Sequence, residues 1–224
     1  MERESPSPEA PPTYRRGLLK ALWYGFTSWC LWFAFKALYR LRTKNRHYVP
    51  MTGPVVIVAN HQSHFDPPLV GGATRRQLSY LARDTLFKGA LGVLIRSFDA
   101  VPVDRDGTGL AGIRATLKRL KQGGAVLLFP EGTRTPDGAL QPLKPGFLAL
   151  VRRSKAVIVP IGFDGPFRAW PRGRSLPLLF RPISMHYGDP ISPESATELS
   201  DEELLELVRT RLQSCIESAA DLNR

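Results

Sequence analysis

Within Asn60-His61-Gln62-Ser63-His64-Phe65-Asp66-Pro67-Pro68, two imidazoles and a carboxylate stand close together. Two chemistries suit them. His61 can serve as a general base, with Asp66 fixing its tautomer and stabilising the imidazolium. Alternatively His61, His64 and Asp66 can ligate zinc or iron, for which imidazole and carboxylate are suitable donors. A third reading assigns no chemistry: His61 ends a strand, and Asp66 caps a helix with Pro67 at its first position. The metal reading needs a further ligand from an unmarked carboxylate. The chain has only four histidines (His47, His61, His64, His186) and two cysteines. The base reading needs nothing more.

The elements that must position these groups follow from hydropathy. Val55-Val56-Ile57-Val58-Ala59, after Gly53-Pro54, reads as a buried strand. His61 then lies in a short loop between the end of that strand and a helix starting at Asp66. In open α/β sheets that crevice is where ligands bind. Downstream, strands are expected over 78–82, 100–103, 125–129, 157–161 and 183–187. The proline in Val101-Pro102-Val103 marks an edge strand. Helices are expected over 85–96, 107–121, 144–153 and 201–219, and an irregular loop rich in Pro, Gly and Arg over 164–182. Alternating strands and helices predict an α/β fold, a single domain with a mostly parallel sheet flanked by helices on both faces.

Composition bounds the function. Hydrophobic content of 43% suits a globular chain, but the net charge of +11 is unusual. Residues 1–50 carry +6, residues 51–189 carry +10 and residues 190–224 carry −5. Such a field favours an anionic partner: nucleic acid, a membrane surface or a phosphorylated substrate. Two separated cysteines, Cys30 and Cys215, provide no disulfide framework, which suits a reducing compartment facing the cytoplasm.

Residues 1–13 are polar and proline-rich, so disorder is expected. Residues 14–47 read as a membrane-associated helical anchor ahead of a domain over 48–224. The apolar stretch 18–41 holds Trp23, Trp29 and Trp32 with five other aromatics, flanked by basic residues on both sides. Its uncharged part is shorter than the ~20 residues of a straight span. A monotopic or re-entrant helix is therefore expected first, a single span second. Tyr14-Arg15-Arg16 looks superficially like a twin-arginine signal, but no small-x-small cleavage site follows.

Asn60-His61-x-Ser63-x-x-Asp66 resembles the His-x4-Asp box of the glycerolipid acyltransferases, specifically the lysophosphatidate (1-acylglycerol-3-phosphate) acyltransferases. Three more blocks follow in the family's order. Val101-Pro102-Val103-Asp104-Arg105 resembles the second, whose arginine contacts the substrate phosphate; Asp99 stands where the family usually has glycine. Phe129-Pro130-Glu131-Gly132-Thr133-Arg134 matches the third without gaps, and Val159-Pro160-Ile161 resembles the short fourth. The resemblance implies that His61 and Asp66 are catalytic. It also implies that Arg105, Glu131, Gly132, Thr133, Arg134 and Arg83 face the substrate, with no metal among the ligands. Lys144 either faces the substrate or opens a helix.

The activity implied is transfer of a fatty acyl group from acyl-CoA or acyl-carrier protein to lysophosphatidate, with no cofactor and no acyl-enzyme. Ser63 is the nearest serine and has no activating setting. The implied partners are a lyso-lipid, the acyl donor and membrane lipid, and not nucleic acid. The implied location is a membrane surface with the site facing the cytoplasm. Two alternatives stand beside this: another acceptor such as lyso-ornithine lipid, and a metal-dependent hydrolase built on His61, His64 and Asp66.

Overall fold

Apolar runs and amphipathic segments alternate along the chain as α1 (Leu18–Tyr39), β1 (Arg42–Lys44), β2 (Val55–Ala59), α2 (Asp66–Ala73), β3 (Leu78–Arg83), α3 (Gly89–Ser97), β4 (Val101–Val103), α4 (Leu110–Lys121), β5 (Ala125–Leu128), α5 (Leu148–Ser154), β6 (Val157–Asp164), α6 (Pro166–Ala169), β7 (Ser184–Tyr187), α7 (Pro193–Glu198) and α8 (Asp201–Asn223). The computed structural model describes residues 12, 14, 17–98, 100–103 and 110–224, with the backbone alone at Arg83, Ala90, Leu91, Val103 and Leu110. The disorder expected over 1–13 lies outside the described residues, apart from Pro12.

Seven strands form one sheet in the order β1-β7-β6-β2-β5-β3-β4. β6, β2, β5, β3 and β4 are mutually parallel, β7 runs against β6, and β1 runs with β7. The expected mostly parallel sheet is therefore found, and β4 with its Pro102 is indeed an edge. β2 is central, and all five of its residues are fully buried. Such a strand must be apolar on both faces, which is why Val55–Ala59 does not alternate. Val55, Ile57 and Ala59 join Phe35, Tyr39, Leu69 and Val70 on one face. Val56 and Val58 join Leu148, Val151, Leu204, Val208 and Leu212 on the other.

The register sets the site's position. Val58 lies opposite Leu128 on one side and Pro160 on the other. The loops after β2 and β5 consequently leave the sheet at the same carboxyl edge. Val103 pairs with Arg83 at that edge too.

Within the segment read as an anchor over 14–47, α1 and β1 pack onto this sheet. β1 pairs with β7, and Phe35 and Tyr39 of α1 lie in the core against Phe65. Its other side presents Leu18, Leu22, Phe26, Trp29 and Phe33 to the outside, spaced at helical intervals as one stripe. Among the described residues no helix is long and apolar enough to cross a membrane, so the spanning alternative is not supported. Lys20, Gly25, Thr27, Ser28 and Lys36 interrupt the apolar run.

Other departures have local causes. β1 is Arg-Thr-Lys, with no apolar signal, and forms because the chain leaving α1 meets β7. The helix expected over 85–96 starts at Gly89 after a 3₁₀ turn, because Gly89 takes a positive φ of 58°. α8 runs past 219 to Asn223 from a Ser200–Glu203 capping box.

At the opposite edge of the sheet, Arg76 is buried among backbone carbonyls. It donates to Pro50 O at 2.7 Å, Thr52 O at 3.1 Å and Gly53 O at 2.5 Å, and also to Gly123 O. Burial lowers its guanidinium to about 10. These bonds tie the turns before β2 and β5 together. Arg76→Met should leave those carbonyls without a donor and lower stability by on the order of 3 kcal/mol. Urea unfolding checks this, since an unchanged midpoint would mean that Arg76 is dispensable.

Candidate active site

The loop after β2 is fixed before any side chain acts. Asn60, itself buried, accepts the Phe163 N–H on Oδ1 at 2.9 Å and donates from Nδ2 to Phe163 O at 3.5 Å, tying the loop to β6. The His61 N–H donates to Glu131 Oε1 at 2.5 Å, and His61 O accepts the Thr135 N–H at 2.8 Å. The two loops at the carboxyl edge are thereby bound to each other through the backbone of His61.

The ring of His61 has two neighbours of different kinds. Its Nδ1 lies 2.8 Å from Asp66 Oδ2, and its face stacks on Phe129 with centroids 4.0 Å apart and planes at 16°. The same Asp66 oxygen accepts the N–H groups of Gln62 at 2.6 Å and Ser63 at 2.8 Å. Asp66 is fully buried. Burial raises its carboxyl above the usual range, while the His61 ring and the two N–H groups pull it back by stabilising the anion. A carboxylate that only accepts assigns the proton to Nδ1 and leaves Nε2 as the basic nitrogen. The His61 side chain keeps 18% exposure.

This corrects the reading of Asp66 as a helix cap. Asp66 is the first residue of α2, and its carboxylate turns back to the preceding loop. A cap at that position could serve little. Pro67 and Pro68 have no N–H, and the Leu69 N–H already bonds Phe65 O.

Glu131, expected to face the substrate, is held by backbone N–H groups at both of its oxygens. It is 3% exposed, and its second oxygen accepts the Gln141 N–H at 3.0 Å. Burial pushes its carboxyl up to about 7 against these two bonds. Gly132 adopts φ 74°, and a Cβ there would lie 3.0 Å from Lys144 Nζ. Lys144 thus reaches the third block's turn, and its N–H bonds Pro130 O at 2.9 Å. Thr133 is exposed on the same turn.

His64 does not join a ligand set. Its ring packs against Trp170 with centroids 4.8 Å apart, and burial lowers its pKa, as do the positive charges of Arg134 and His61. Arg134 is therefore electrostatically within reach of the His64 imidazole. Among the described residues no three His, Cys, Asp or Glu side chains are grouped to hold a metal. Ser63 Oγ donates to Trp170 O at 2.7 Å and accepts the Phe65 N–H at 3.1 Å, so it braces the loop.

Arg105 lies outside the described residues, and Arg83 is placed by its backbone at the end of β3. The structure thus brings together His61, Asp66, Glu131, Gly132 and Arg134. It adds Asn60, Phe129, Thr135, Gln141 and Trp170 to the surroundings. Asn60 and Phe129 were visible as members of the blocks, but their roles needed the cross-strand contacts.

Residues 40–164 match the family described as Acyltransferase. The 1-acyl-sn-glycerol-3-phosphate acyltransferase of Bacillus subtilis is 33% identical over 128 residues, 56% of this chain and 63% of the relative. The corresponding mouse alpha enzyme is 34% identical over 136 residues, 56% of this chain and 46% of the relative. The chain thus matches less than two thirds of either relative's length. The crystal structure of the 1-acyl-sn-glycerophosphate acyltransferase from Thermotoga maritima superposes with a TM-score of 0.75 at 25% identity, covering 89% of this chain and 81% of that one.

A raised Glu131 has a consequence for stability. The unfolded carboxyl titrates near 4.5 and the folded one near 7. Protonation therefore favours the folded state, and that contribution is lost as pH rises from about 4.5 through 7. The stability difference between wild type and Glu131→Gln should shift against the wild type across this window. Urea midpoints measured at several pH values check it, and a pH-independent difference would refute it.

Proposed function

The chain belongs to the acyltransferase family, and from that premise we propose that it acylates the free hydroxyl of lysophosphatidate, with the thioester of acyl-CoA or acyl-carrier protein as donor. One observation carries the reading: the 2.8 Å bond between His61 Nδ1 and Asp66 Oδ2, on a loop held to the Glu131 loop. His61 Nε2 removes the hydroxyl proton as the oxygen attacks the thioester carbonyl. The tetrahedral intermediate collapses with cleavage of the C–S bond, and the imidazolium returns its proton to the departing sulfur. Asp66 stabilises the imidazolium between these events. No side chain becomes acylated.

Glu131 acts as a positioning residue in this scheme, because both of its oxygens hold backbone N–H groups. Phe129 limits the tilt of the imidazole by stacking on it. Arg134, together with Arg105, supplies guanidinium groups that suit a phosphate. That chemistry favours lysophosphatidate over a lyso-ornithine acceptor, which has no phosphate. The hydrolase alternative is less well supported, because His64 faces Trp170.

The substrates are amphiphiles, and the apolar stripe of α1 supports attachment to a membrane surface. Leu176, Leu179 and Phe180 are exposed as well, interleaved with the exposed Arg172, Arg174 and Arg181. Phe180 holds a left-handed backbone at φ 60°, and its N–H bonds Leu38 O at the end of α1. An exposed aromatic in such a conformation gains little from the protein itself. An interfacial position at an anionic bilayer accounts for it.

Three outcomes are expected when membranes bearing the chain receive lysophosphatidate and labelled acyl-CoA or acyl-carrier protein. His61→Ala should lower phosphatidate formation about 10²–10⁴-fold, and Asp66→Asn should lower kcat while the protein stays folded. Arg134→Ala should mainly raise KM for lysophosphatidate. Undiminished turnover in His61→Ala, or a higher kcat/KM for lyso-ornithine lipid, would overturn the reading. Equal damage from His64→Ala together with loss of activity on chelation would favour the metal alternative.

A further inference from the structure

Between Glu9 and Asp66 the chain carries no acidic residue, yet Lys20, Lys36, Arg40, Arg42, Lys44 and Arg46 all fall there. The fold concentrates part of that charge. A cavity of about 290 Å³ opens between α1, the end of α2 and the start of β3, with Ser28, Trp29, Trp32, Arg46, Arg75 and Gln77 in its lining. The Arg46 guanidinium lies 4.2 Å from the centre of the Trp32 ring, and its Nε donates to Ala73 O. It is thus oriented before any ligand arrives. Lys36 Nζ stands 5.1 Å from the same ring. Arg75 is exposed and makes no hydrogen bond or ion pair with any described residue.

Among the described residues no carboxylate lines this cavity. Burial lowers the Arg46 guanidinium below its ordinary value, and the charge of Arg75 pushes the same way. Two like charges turned to one partly dehydrated space repel unless an anion lies between them. The rim is apolar and open: Trp29 is 63% exposed and stacks on Phe33, which is 64% exposed. Both belong to the outward stripe of α1. A ligand suited to this place has a phosphate at one end and apolar substance beside it.

The cavity is separate from the His61 loop. Asp66 opens α2 beside His61, whereas Gly72 and Thr74 at the helix's other end line the cavity. At 1.5 Å per residue that is roughly 9–12 Å along the helix.

We propose that this cavity binds the phosphate of an anionic phospholipid headgroup, at a site apart from the catalytic pair. Arg46 and Arg75 take the phosphate oxygens, a fork geometry that guanidinium matches. Trp29 and Trp32 cover the glycerol side. Occupancy would hold α1 against an anionic bilayer in one orientation. The proposal rests on the membrane attachment of the preceding reading and not on acyl transfer.

The test uses the full chain carrying Trp170→Phe, so that the indoles of Trp23, Trp29 and Trp32 report. Monomeric dihexanoyl phosphatidate should change their fluorescence saturably. Arg75→Gln should raise the half-saturating concentration about fivefold, the effect of one arginine at a lipid headgroup. Lys44→Gln removes an equal charge from exposed β1 outside the cavity and should change nothing, as should His61→Ala. Equal effects of Lys44→Gln and Arg75→Gln would reduce the site to diffuse charge and overturn it. Inorganic phosphate giving the same change at the same concentration would overturn the lipid assignment, and no saturable change would overturn both. Failure of acyl transfer with binding intact would count against the preceding reading alone.

Discussion

A single buried oxygen, Oδ2 of Asp66, accepts three hydrogen bonds: from the His61 ring and from the backbones of Gln62 and Ser63. A fully buried carboxylate is costly unless donors surround its charge. Here the donors come from the residues just before it in the chain, so burying Asp66 forces the loop to curl around it. The curl in turn determines which nitrogen of His61 carries a proton. Local backbone geometry, the electrostatics of one carboxylate and the tautomer of one imidazole are therefore a single arrangement. The prolines after Asp66 assist by leaving α2 without early N–H groups that would compete for the carboxylate.

This arrangement would be of little use if the loop could swing. The sheet prevents it from three sides. Asn60 locks the loop to β6, Glu131 and Thr135 lock the His61 peptide to the loop after β5, and Ser63 locks it to Trp170. Each lock is a bond from a side chain to backbone, or between backbones, so it constrains the path of the chain as well as side-chain rotamers. Glu131 belongs to this framework, and its location beside the site follows from the parallel register of β2 with β5.

Charge is handled differently at the two edges of the sheet. At the carboxyl edge, buried carboxylates accept backbone N–H groups. At the opposite edge, buried Arg76 donates to the backbone carbonyls of Pro50, Thr52, Gly53 and Gly123. The loops at the carboxyl edge present N–H groups and the turns at the other edge present carbonyls, and a charged side chain of the matching sign meets each. Part of the cationic excess lies at the surface near α1 and the loop 171–181, beside exposed aromatic and aliphatic side chains.

Much of this was legible in the residues alone, where a signal is local and strong. The apolar run Val55–Ala59 could only be a strand buried on both faces, and the periodic apolar positions of 201–219 could only be an amphipathic helix. The blocks at 60–66 and 129–134 identified the family because residue type and spacing persist in the one-dimensional chain. The sequence was silent where an element forms by contact. Arg42-Thr43-Lys44 becomes a strand only by meeting β7, and α1 joins the core only because Phe35 and Tyr39 reach Phe65. It was misleading at Asp66, whose Asp-Pro pairing signals a cap, whereas the carboxylate bonds backward to a ring and two amides. The chain itself thus determined which groups were present and roughly which elements would carry them. Tertiary structure decided which oxygen met which N–H, because hydrogen bonds between residues 61 and 131 depend on strand order and register, which no local pattern records.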